Sequence, residues 1–282
     1  MSLANLSNVL REAEAGGYAV GAFNVFNLET AQAVVAAAEA ERSPVILLMY
    51  DSHLDHFGVD ESAAVGRVLA NRAQVPVAVH LDHGASFARV VRCMHAGYTS
   101  VMYDGSRLPY DENVATTRRI VEIAHHVGIS VEAEIGHVGI AAKGEDRIEQ
   151  WLTRPEEAAD FAGDTGVDCL AVAIGNAHGF YLEEPKLDFT RLEEINQLVD
   201  VPLVLHGSSG ISDADIRRAV KLGIRKVNVG TETLTAFGAT LRDSLALASG
   251  TVRGVEQLAE ARAVMQAKVQ SRMRVLGSAG KA

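Results

Sequence analysis

Short runs of apolar and β-branched residues alternate along the chain with segments whose apolar positions recur every three or four residues. The first pattern is typical of buried strands and the second of amphipathic helices. Eight runs of the first kind occur, at residues 20–24, 45–49, 77–81, 100–104, 130–136, 169–175, 203–206 and 226–230. Because helical segments separate them, neighbouring strands are expected to pair in parallel. The pattern therefore predicts an α/β protein, a (β/α)₈ TIM barrel that spans residues 1–282 as one domain.

Additional helices are predicted at both ends of this pattern. A short helix precedes the first strand, and residues 234–276 hold two helical stretches, more than the last helix of a barrel requires. We expect this C-terminal helical extension to cap the barrel or to form a contact between subunits. An open, doubly wound sheet is the structural alternative, but no G-x-G-x-x-G motif follows the first strand.

Composition and charge argue against several classes of protein. Hydrophobic residues make up 48% of the chain, and the formal net charge is -10 with no block of Lys or Arg. We therefore expect no nucleic-acid partner and no anionic-membrane surface. We likewise expect no export signal and no membrane anchor, because no basic region followed by an apolar run opens the sequence and no apolar stretch approaches about 20 residues. Cys93 and Cys169 stand far apart in apolar contexts, so free thiols and a cytoplasmic location are expected.

Polar side chains collect where the predicted strands end. The third strand ends in residues 80–84 (HLDHG), and alternation places His80 and Asp82 on one face of it. Ends of other strands carry Asn24, Asp104, Glu132, Glu134, His178, His206, Ser208, Ser209, Asn228, Gly230 and Thr231. Because reacting groups of α/β barrels lie at the C-terminal ends of strands, the sequence predicts one polar site there.

A metal is one interpretation of three of these residues. His83, His178 and His206 come from separate strands and suit a tetrahedral Zn²⁺ with one open position, and Glu134 is a candidate for an additional or alternating ligand. No short ligand spacing such as H-E-x-x-H supports a metal. From the residues alone, hydrogen-bonded histidines and a salt-bridged carboxylate are equally good interpretations.

A second prediction concerns the interior just below these groups. His80 and Glu132 lie one inward step beneath Asp82 and Glu134, on strands three and five, and alternate strands share interior layers. Either group would be costly if it were buried without a partner. We therefore predict that His80 and Glu132 face each other and form a hydrogen bond beneath the site.

The last two strands end in residues 206–210 (HGSSG) and 228–231 (NVGT). Barrels commonly bind phosphate at these two strand ends, on backbone N–H groups that glycine leaves accessible and beside hydroxyl donors. Gly-Ser segments are also ordinary loops, so their location at these strand ends supports the phosphate interpretation more than their composition does.

The order of these motifs resembles that of class II, zinc-dependent ketose-bisphosphate aldolases, such as the fructose- and tagatose-bisphosphate enzymes. The resemblance covers nearly the whole chain. It rests on residues 80–84 (HLDHG), 100–106 (SVMYDGS), 130–136 (SVEAEIG), 173–179 (AIGNAHG), 202–207 (PLVLHG) and 226–232 (KVNVGTE). Because the motifs fall in order at successive strand ends, the resemblance is specific.

The resemblance implies a carbon–carbon lyase that reversibly cleaves a phosphorylated ketose to dihydroxyacetone phosphate and an aldehyde. Asp82 matches the catalytic acid/base, and zinc would stabilise the enediolate. Zn²⁺ would be held by His83, His178 and His206, with Glu134 as an alternative ligand. Gly179, Gly207, Ser209, Asn228 and Thr231 match positions that hold dihydroxyacetone phosphate, often beside a monovalent cation such as Na⁺ or K⁺. Asn24 and Gly230, at the ends of the first and last strands, are further candidate substrate contacts. The family also implies a homodimer or homotetramer.

The chain departs from the family pattern on the side of the aldehyde. The loop after strand five usually reads Gly-Gly-x-Glu-Asp, whereas residues 139–146 (GIAAKGED) are longer, and Glu145 is the candidate acid that protonates the carbanion. Tyr50 stands where many members have a small hydroxyl residue, Gly230 where bisphosphate aldolases often have Asn, Asp or Ala, and Leu182 where some have a basic residue. We therefore expect a non-standard aldehyde partner.

Two other functions are alternatives. A barrel metallohydrolase would be expected to carry paired histidines on the first strand, and residues 22–27 (AFNVFN) contain none. A non-catalytic or regulatory sugar-phosphate-binding homologue is the second, because Tyr50 and the altered loop could block the site. The intact Asp82 and the three histidines argue against it.

Overall fold

The strands of the computed structural model form one closed sheet. The structure describes residues 2–145, 149–248 and 252–282. The strands are β1 (Val20–Asn24), β2 (Val45–Tyr50), β3 (Val77–Gly84), β4 (Ser100–Tyr103), β5 (Ser130–Ile135), β6 (Cys169–Val172), β7 (Leu203–Leu205) and β8 (Ile224–Val229). Each pairs in parallel with its neighbour in sequence, and β8 pairs with β1. The predicted (β/α)₈ TIM barrel is confirmed.

Helices surround the barrel and follow the predicted alternation. In the described parts of the chain they are α1 (Leu6–Gly16), α2 (Leu28–Glu41), α3 (Leu54–Phe57), α4 (Val59–Arg72), α5 (Phe87–Ala96), α6 (Tyr110–His126), α7 (Pro155–Thr165), α8 (Phe189–Leu198), α9 (Asp213–Lys221), α10 (Thr231–Leu247) and α11 (Val255–Leu276). Local capping defines several ends, such as the capping box of Asn27 and Thr30 that begins α2. None of these helices combines the length and apolar character needed to cross a bilayer.

The barrel interior changes from apolar to polar along its axis. Near the N-terminal ends of the strands, helix α1 covers a cluster of apolar side chains that includes Val20, Ile46 and Val204. Toward the C-terminal ends the interior holds fully buried ionisable groups, among them Glu132 and Lys226. Because buried charges must be paired, this polar layer gives fixed support to the groups above it.

The C-terminal helices complete the outer layer. Helix α10 begins directly after β8, and α11 packs against α2, α9, α10 and β1. Glu41, the last residue of α2, accepts hydrogen bonds from Gln270 and Arg274 of α11. The backbone of Leu276 accepts a hydrogen bond from the N–H of Ala19 at 3.1 Å. The extension is therefore joined to the barrel along its outer side.

Candidate active site

An irregularity in β3 brings His83 to the site. The pairing of β3 with β4 changes register between Leu81 and Gly84, and His83 has a φ of 51°. A positive φ is uncommon for a residue other than glycine and stores strain. Simple alternation would place His83 on the face opposite Asp82. The bulge instead leaves His83 Nε2 3.9 Å from Asp82 Oδ1.

The three predicted histidines lie together at the C-terminal end of the barrel. The ring centroid of His83 is 4.9 Å from that of His178 and 4.7 Å from that of His206. One ring nitrogen of each lies within 4.8 Å of the others. His83, Asp104 and Glu134 form a second group of donor atoms with the same spacing. The histidine cluster is thus compact enough to share one cation.

The hydrogen bonds of two imidazoles test whether a metal fits. His83 Nδ1 bonds Asp104 Oδ2 at 2.7 Å, and His206 Nε2 bonds Glu132 Oε1 at 2.9 Å. When these nitrogens donate to the carboxylates, the lone pairs of His83 Nε2 and His206 Nδ1 face each other across 3.0 Å. Such a pair needs a cation or a proton between the nitrogens. Carboxylates behind the imidazoles are the usual support of a zinc site, so the donor set fits a divalent metal.

Glu134 offers a further oxygen beside the cluster. Its Oε1 accepts a hydrogen bond from the Val138 N–H at 2.9 Å, but its buried Oε2 has no hydrogen-bond partner in the described parts of the chain. This oxygen lies 3.7 Å from His206 Nδ1. Burial, with a contribution from Asp104, raises the pKa of Glu134 to about 8. A cation at the cluster would satisfy this orphaned oxygen and favour its ionised form.

The imidazoles have very different proton affinities when no metal is bound. Burial opposes charge on His83, but Asp82 and Asp104 outweigh it and raise its pKa to about 10. Burial and the nearby His83 lower the pKa of His178 to about 3. His83 is therefore protonated on both ring nitrogens at neutral pH when no metal is bound, and a metal must displace one of these protons.

Asp82 lies beside the histidines as a buried carboxylate. Burial opposes its ionisation, yet electrostatic interactions with His83, His206 and Lys226 outweigh that effect and lower the pKa of Asp82 below its usual range. Its Oδ1 accepts a hydrogen bond from Asn228 Nδ2 at 3.0 Å. Asp82 is thus an oriented anion that can accept a proton.

The predicted substrate residues line one cavity of about 250 Å³, which we call the glycine-lined cavity. Its wall includes Asn24, Tyr50, Asp82, His178, Gly179, Gly207, Ser209, Asn228, Gly230 and Thr231. Gly207 has a φ of 62°, and a Cβ there would lie 2.1 Å from the carbonyl oxygen of Ala177, so only glycine fits. Because α10 begins at Thr231, the N-terminus of a helix borders this cavity, where the N–H of Glu232 donates to Ser209 Oγ at 3.2 Å.

Comparison with known proteins identifies the family. The chain matches the sequence model of class-II fructose-bisphosphate aldolase over residues 4–281. It belongs to this aldolase family. It is 42% identical over 287 residues to the probable fructose-bisphosphate aldolase of Bacillus subtilis (strain 168), with 100% of both chains covered. It is 46% identical over 244 residues to the D-tagatose-1,6-bisphosphate aldolase subunit GatY of Klebsiella oxytoca, with 86% of each covered.

A solved structure agrees with this assignment. The YdjI aldolase from Escherichia coli K12 superposes on the chain with a TM-score of 0.89 at 36% identity, and 99% of each chain is covered. The chain is therefore an aldolase, a carbon–carbon lyase, in a family that is zinc-dependent in general and acts on sugar phosphates.

Glu145 of this aldolase lies outside the glycine-lined cavity. Its Oε2 accepts a hydrogen bond from the N–H of Ile140 at 2.7 Å, within its own loop. The loop is joined to the histidine segment, because the His178 N–H donates to the Gly139 carbonyl at 2.8 Å. Asp146, the last residue of the loop motif, lies outside the described residues.

The hydrogen bond predicted between His80 and Glu132 is not formed. The two side chains face each other, but His80 Nε2 is 3.6 Å from Glu132 Oε2, and His80 Nδ1 bonds Ser100 instead. Glu132 is occupied by Lys226 Nζ at 2.8 Å and by His206. Burial and the nearby Lys226 lower the pKa of His80 to about 3, so a neutral imidazole competes with an ammonium for the carboxylate.

Lys226 is a residue of the site that the sequence patterns did not single out. It is fully buried and shares the inward face of β8 with Asn228, whose Oδ1 accepts a hydrogen bond from Lys226 Nζ at 2.7 Å. Lysine is almost never fully buried without a partner. The sequence did contain a signal for this residue, because Lys226 stands inside an apolar strand, two residues before the polar strand end at Asn228.

Proposed function

We propose that this aldolase reversibly cleaves a phosphorylated ketose to dihydroxyacetone phosphate and an aldehyde at the histidine cluster. The observation that carries the proposal is the pair of imidazole nitrogens, His83 Nε2 and His206 Nδ1, that face each other across 3.0 Å with His178 beside them. The names of the relatives, which specify fructose bisphosphate and tagatose 1,6-bisphosphate, support a ketose phosphate as the substrate.

The metal centre is assigned to the histidine cluster. His83, His178 and His206 would hold Zn²⁺, with Glu134 as the additional or alternating ligand. When bound, the ion would supply Lewis-acid stabilisation of the negative charge that develops beside the ketone as the carbon–carbon bond breaks. Asp104 and Glu132 would keep His83 and His206 oriented through the hydrogen bonds on their other nitrogens.

Asp82 is the proposed base of the cleavage. It takes the proton from the hydroxyl group whose carbon becomes the aldehyde, and the electron pair of the broken bond remains on the dihydroxyacetone phosphate carbon. In the aldol direction Asp82 returns this proton. Asn228 supports the assignment, because its amide holds the carboxylate in one orientation.

Glu145 is the proposed acid that protonates the carbanion. Its Oε2 accepts a hydrogen bond from the Ile140 N–H, and we expect the loop to release this bond when Glu145 protonates the carbanion. Loop movements of this kind are common in barrel enzymes that exclude water during the reaction.

The phosphate group is assigned to the glycine-lined cavity, on Gly179, Gly207, Ser209 and Thr231, with Asn24, Asn228 and Gly230 beside it. No lysine or arginine occurs among the described residues that line this cavity. Backbone N–H groups and hydroxyls would therefore bind the phosphate, and a monovalent cation such as Na⁺ or K⁺ would balance its charge.

We also propose a homodimer or homotetramer. Leu245, Leu247 and Val255, near the junction of α10 and α11, are 43%, 86% and 68% exposed. Exposed apolar side chains that lie close together in sequence support an interface on the extension of residues 234–276. The free thiols of Cys93 and Cys169 support a cytoplasmic location.

A panel of ketose mono- and bisphosphates tests the function. Each would be incubated with the enzyme, with and without a zinc chelator, and the release of dihydroxyacetone phosphate would be measured. We expect zinc-dependent release from at least one sugar. Absence of release from every sugar by the zinc-loaded protein, together with no exchange of the carbon-bound proton of dihydroxyacetone phosphate, would contradict the proposal.

A further inference from the structure

A second cavity, of about 410 Å³, adjoins the histidine cluster on the side of β4 and β5. We call it the arginine-lined cavity, because Arg107 and His137 form part of its wall. It shares Tyr50 and His178 with the glycine-lined cavity, so the two cavities meet beside these two side chains. A substrate with its phosphate in the first cavity and its ketone at the histidines can extend its other half into the second.

Arg107 is the single lysine or arginine among the described residues that line the two cavities. It lies in the turn after β4 and is exposed to solvent. Its Nε donates to His137 Nε2 at 3.2 Å. The described part of the chain gives the guanidinium no ion pair, because Asp104, the acid in the same wall, bonds His83 and Ser106. Both terminal nitrogens of Arg107 are therefore available to a ligand.

A chain of hydrogen bonds fixes Arg107 relative to the proposed metal centre. His137 accepts from Arg107, and its Nδ1 bonds Ser106 Oγ at 2.9 Å. The Ser106 hydroxyl donates to Asp104 Oδ1 at 2.7 Å, and Asp104 Oδ2 bonds His83 at 2.7 Å. Because the Ser106 hydroxyl donates to Asp104, it accepts from His137 Nδ1, and the Nε2 lone pair is left to accept from Arg107. Arg107 is thus linked to His83 through His137, Ser106 and Asp104.

Trp151 also packs against the His137 side chain. The indole of Trp151 contacts the imidazole edge to face, with ring centroids 4.8 Å apart. His137 is therefore enclosed by Ser106, Arg107 and Trp151. An arginine anchored through Nε presents a planar fork that matches the two oxygens of a carboxylate or phosphate.

The charge of the whole chain makes this local cation important. With a formal net charge of -10, the protein as a whole repels anions, so an anionic group must be bound by nearby donors. The glycine-lined cavity offers neutral N–H and hydroxyl donors for one anion. The arginine-lined cavity offers a guanidinium for a second.

We infer that Arg107 binds an anionic group, a carboxylate or a phosphate, on the aldehyde half of the substrate. This inference rests on the proposed function, because it places dihydroxyacetone phosphate in the glycine-lined cavity. Arg107 is then a determinant of aldehyde specificity, and His137 is the residue that positions it.

Aldol synthesis from dihydroxyacetone phosphate and three aldehydes of the same carbon skeleton tests the inference. These aldehydes are glyceraldehyde, which is neutral, glyceraldehyde 3-phosphate, and tartronate semialdehyde, which carries a carboxylate. We expect the wild-type enzyme to have a higher kcat/KM for an anionic aldehyde than for glyceraldehyde. The preferred anion then distinguishes a phosphate from a carboxylate.

Variants of Arg107 separate its role from general damage. We expect Arg107→Gln to lower the preference for the anionic over the neutral aldehyde by about 10- to 100-fold, the value of one charge-assisted hydrogen-bonded pair. Arg107→Lys should retain part of the preference, because it keeps the charge but not the fork. Arg118→Gln is the matched control, since Arg118 is an exposed arginine on α6 that pairs with Asp164.

Two outcomes would overturn the inference. One is a wild-type enzyme whose kcat/KM for glyceraldehyde equals its kcat/KM for each anionic aldehyde. The other is an Arg107→Gln variant whose kcat/KM falls equally for all three. Wild-type exchange of the carbon-bound proton of dihydroxyacetone phosphate is measured in parallel. Its absence contradicts the proposed function, whereas exchange without an anionic preference contradicts only the role of Arg107.

Discussion

Lys226 Nζ lies 2.8 Å from Glu132 Oε2 at the centre of the barrel, where both side chains are fully buried. The same ammonium donates to Asn228 Oδ1 at 2.7 Å, and Asn228 donates to Asp82. The other oxygen of Glu132 accepts a hydrogen bond from His206. One lysine therefore supports both the proposed base and a proposed metal ligand.

Replacement of this lysine should affect both stability and chemistry. Lys226→Met leaves Glu132 as an unpaired buried charge, so we expect the free energy of unfolding to fall by about 3–5 kcal/mol. The double variant Lys226→Met, Glu132→Gln removes both charges and should recover part of this loss in a denaturant titration. Zinc affinity should not recover, because His206 has lost its carboxylate partner. Equal stability of the single and double variants would contradict this account.

Asp82→Asn should separate proton transfer from metal binding. The amide has nearly the same shape and its oxygen can still accept from Asn228, but it cannot take the proton of the substrate hydroxyl. We expect kcat for cleavage to fall by about 10²- to 10⁴-fold, the usual contribution of a positioned base, while the bound zinc measured by elemental analysis stays the same. His178→Ala is the comparison, and it should lose zinc together with activity. A decrease in kcat of less than tenfold in Asp82→Asn would remove Asp82 from the mechanism.

Uptake of the metal should release protons. The pKa of His83 in the metal-free protein is raised from 6.5 to about 10. Its proton therefore stabilises the metal-free fold fully below pH 6.5, and this contribution is lost as the pH rises through about 10. A metal needs the unprotonated nitrogen, so zinc affinity should increase with pH across this window.

Calorimetry in buffers of different ionisation enthalpy measures this release. At neutral pH we expect at least one proton to leave for each zinc bound. Asp104→Asn removes the carboxylate that helps to raise the pKa of His83, so this variant should release fewer protons. The same number of protons from both proteins would show that His83 is not the group that titrates.

Gly230 should be required for the position of Asn24. A Cβ at Gly230 would lie 2.4 Å from Asn24 Oδ1, so Gly230→Ala must displace this amide from the wall of the glycine-lined cavity. We expect KM for dihydroxyacetone phosphate in the aldol direction to rise more than kcat falls. Gly238→Ala on α10 is the control, since a Cβ there meets nothing within 4 Å. A KM unchanged from wild type in Gly230→Ala would show that Asn24 does not contact this substrate.

Much of the fold and part of the site follow from local patterns. Period-two and helical spacing depend only on neighbours in sequence, and alternating strands and helices leave a closed parallel barrel as the arrangement that buries every strand. Because a barrel brings the carboxyl ends of its strands to one rim, His83, His178 and His206 could be predicted to meet. The residues of the glycine-lined cavity could be predicted for the same reason.

Only the tertiary structure decided how these groups are oriented and paired. The bulge in β3 that turns His83 toward Asp82 depends on the register between two strands, and alternation by itself predicts the opposite face. Competition between the Lys226 ammonium and the neutral His80 imidazole likewise decides that Glu132 pairs with Lys226 rather than with His80. The sequence by itself determined which strand ends carry polar groups, whereas pairing between distant residues depends on register and on competition among charges in the folded barrel.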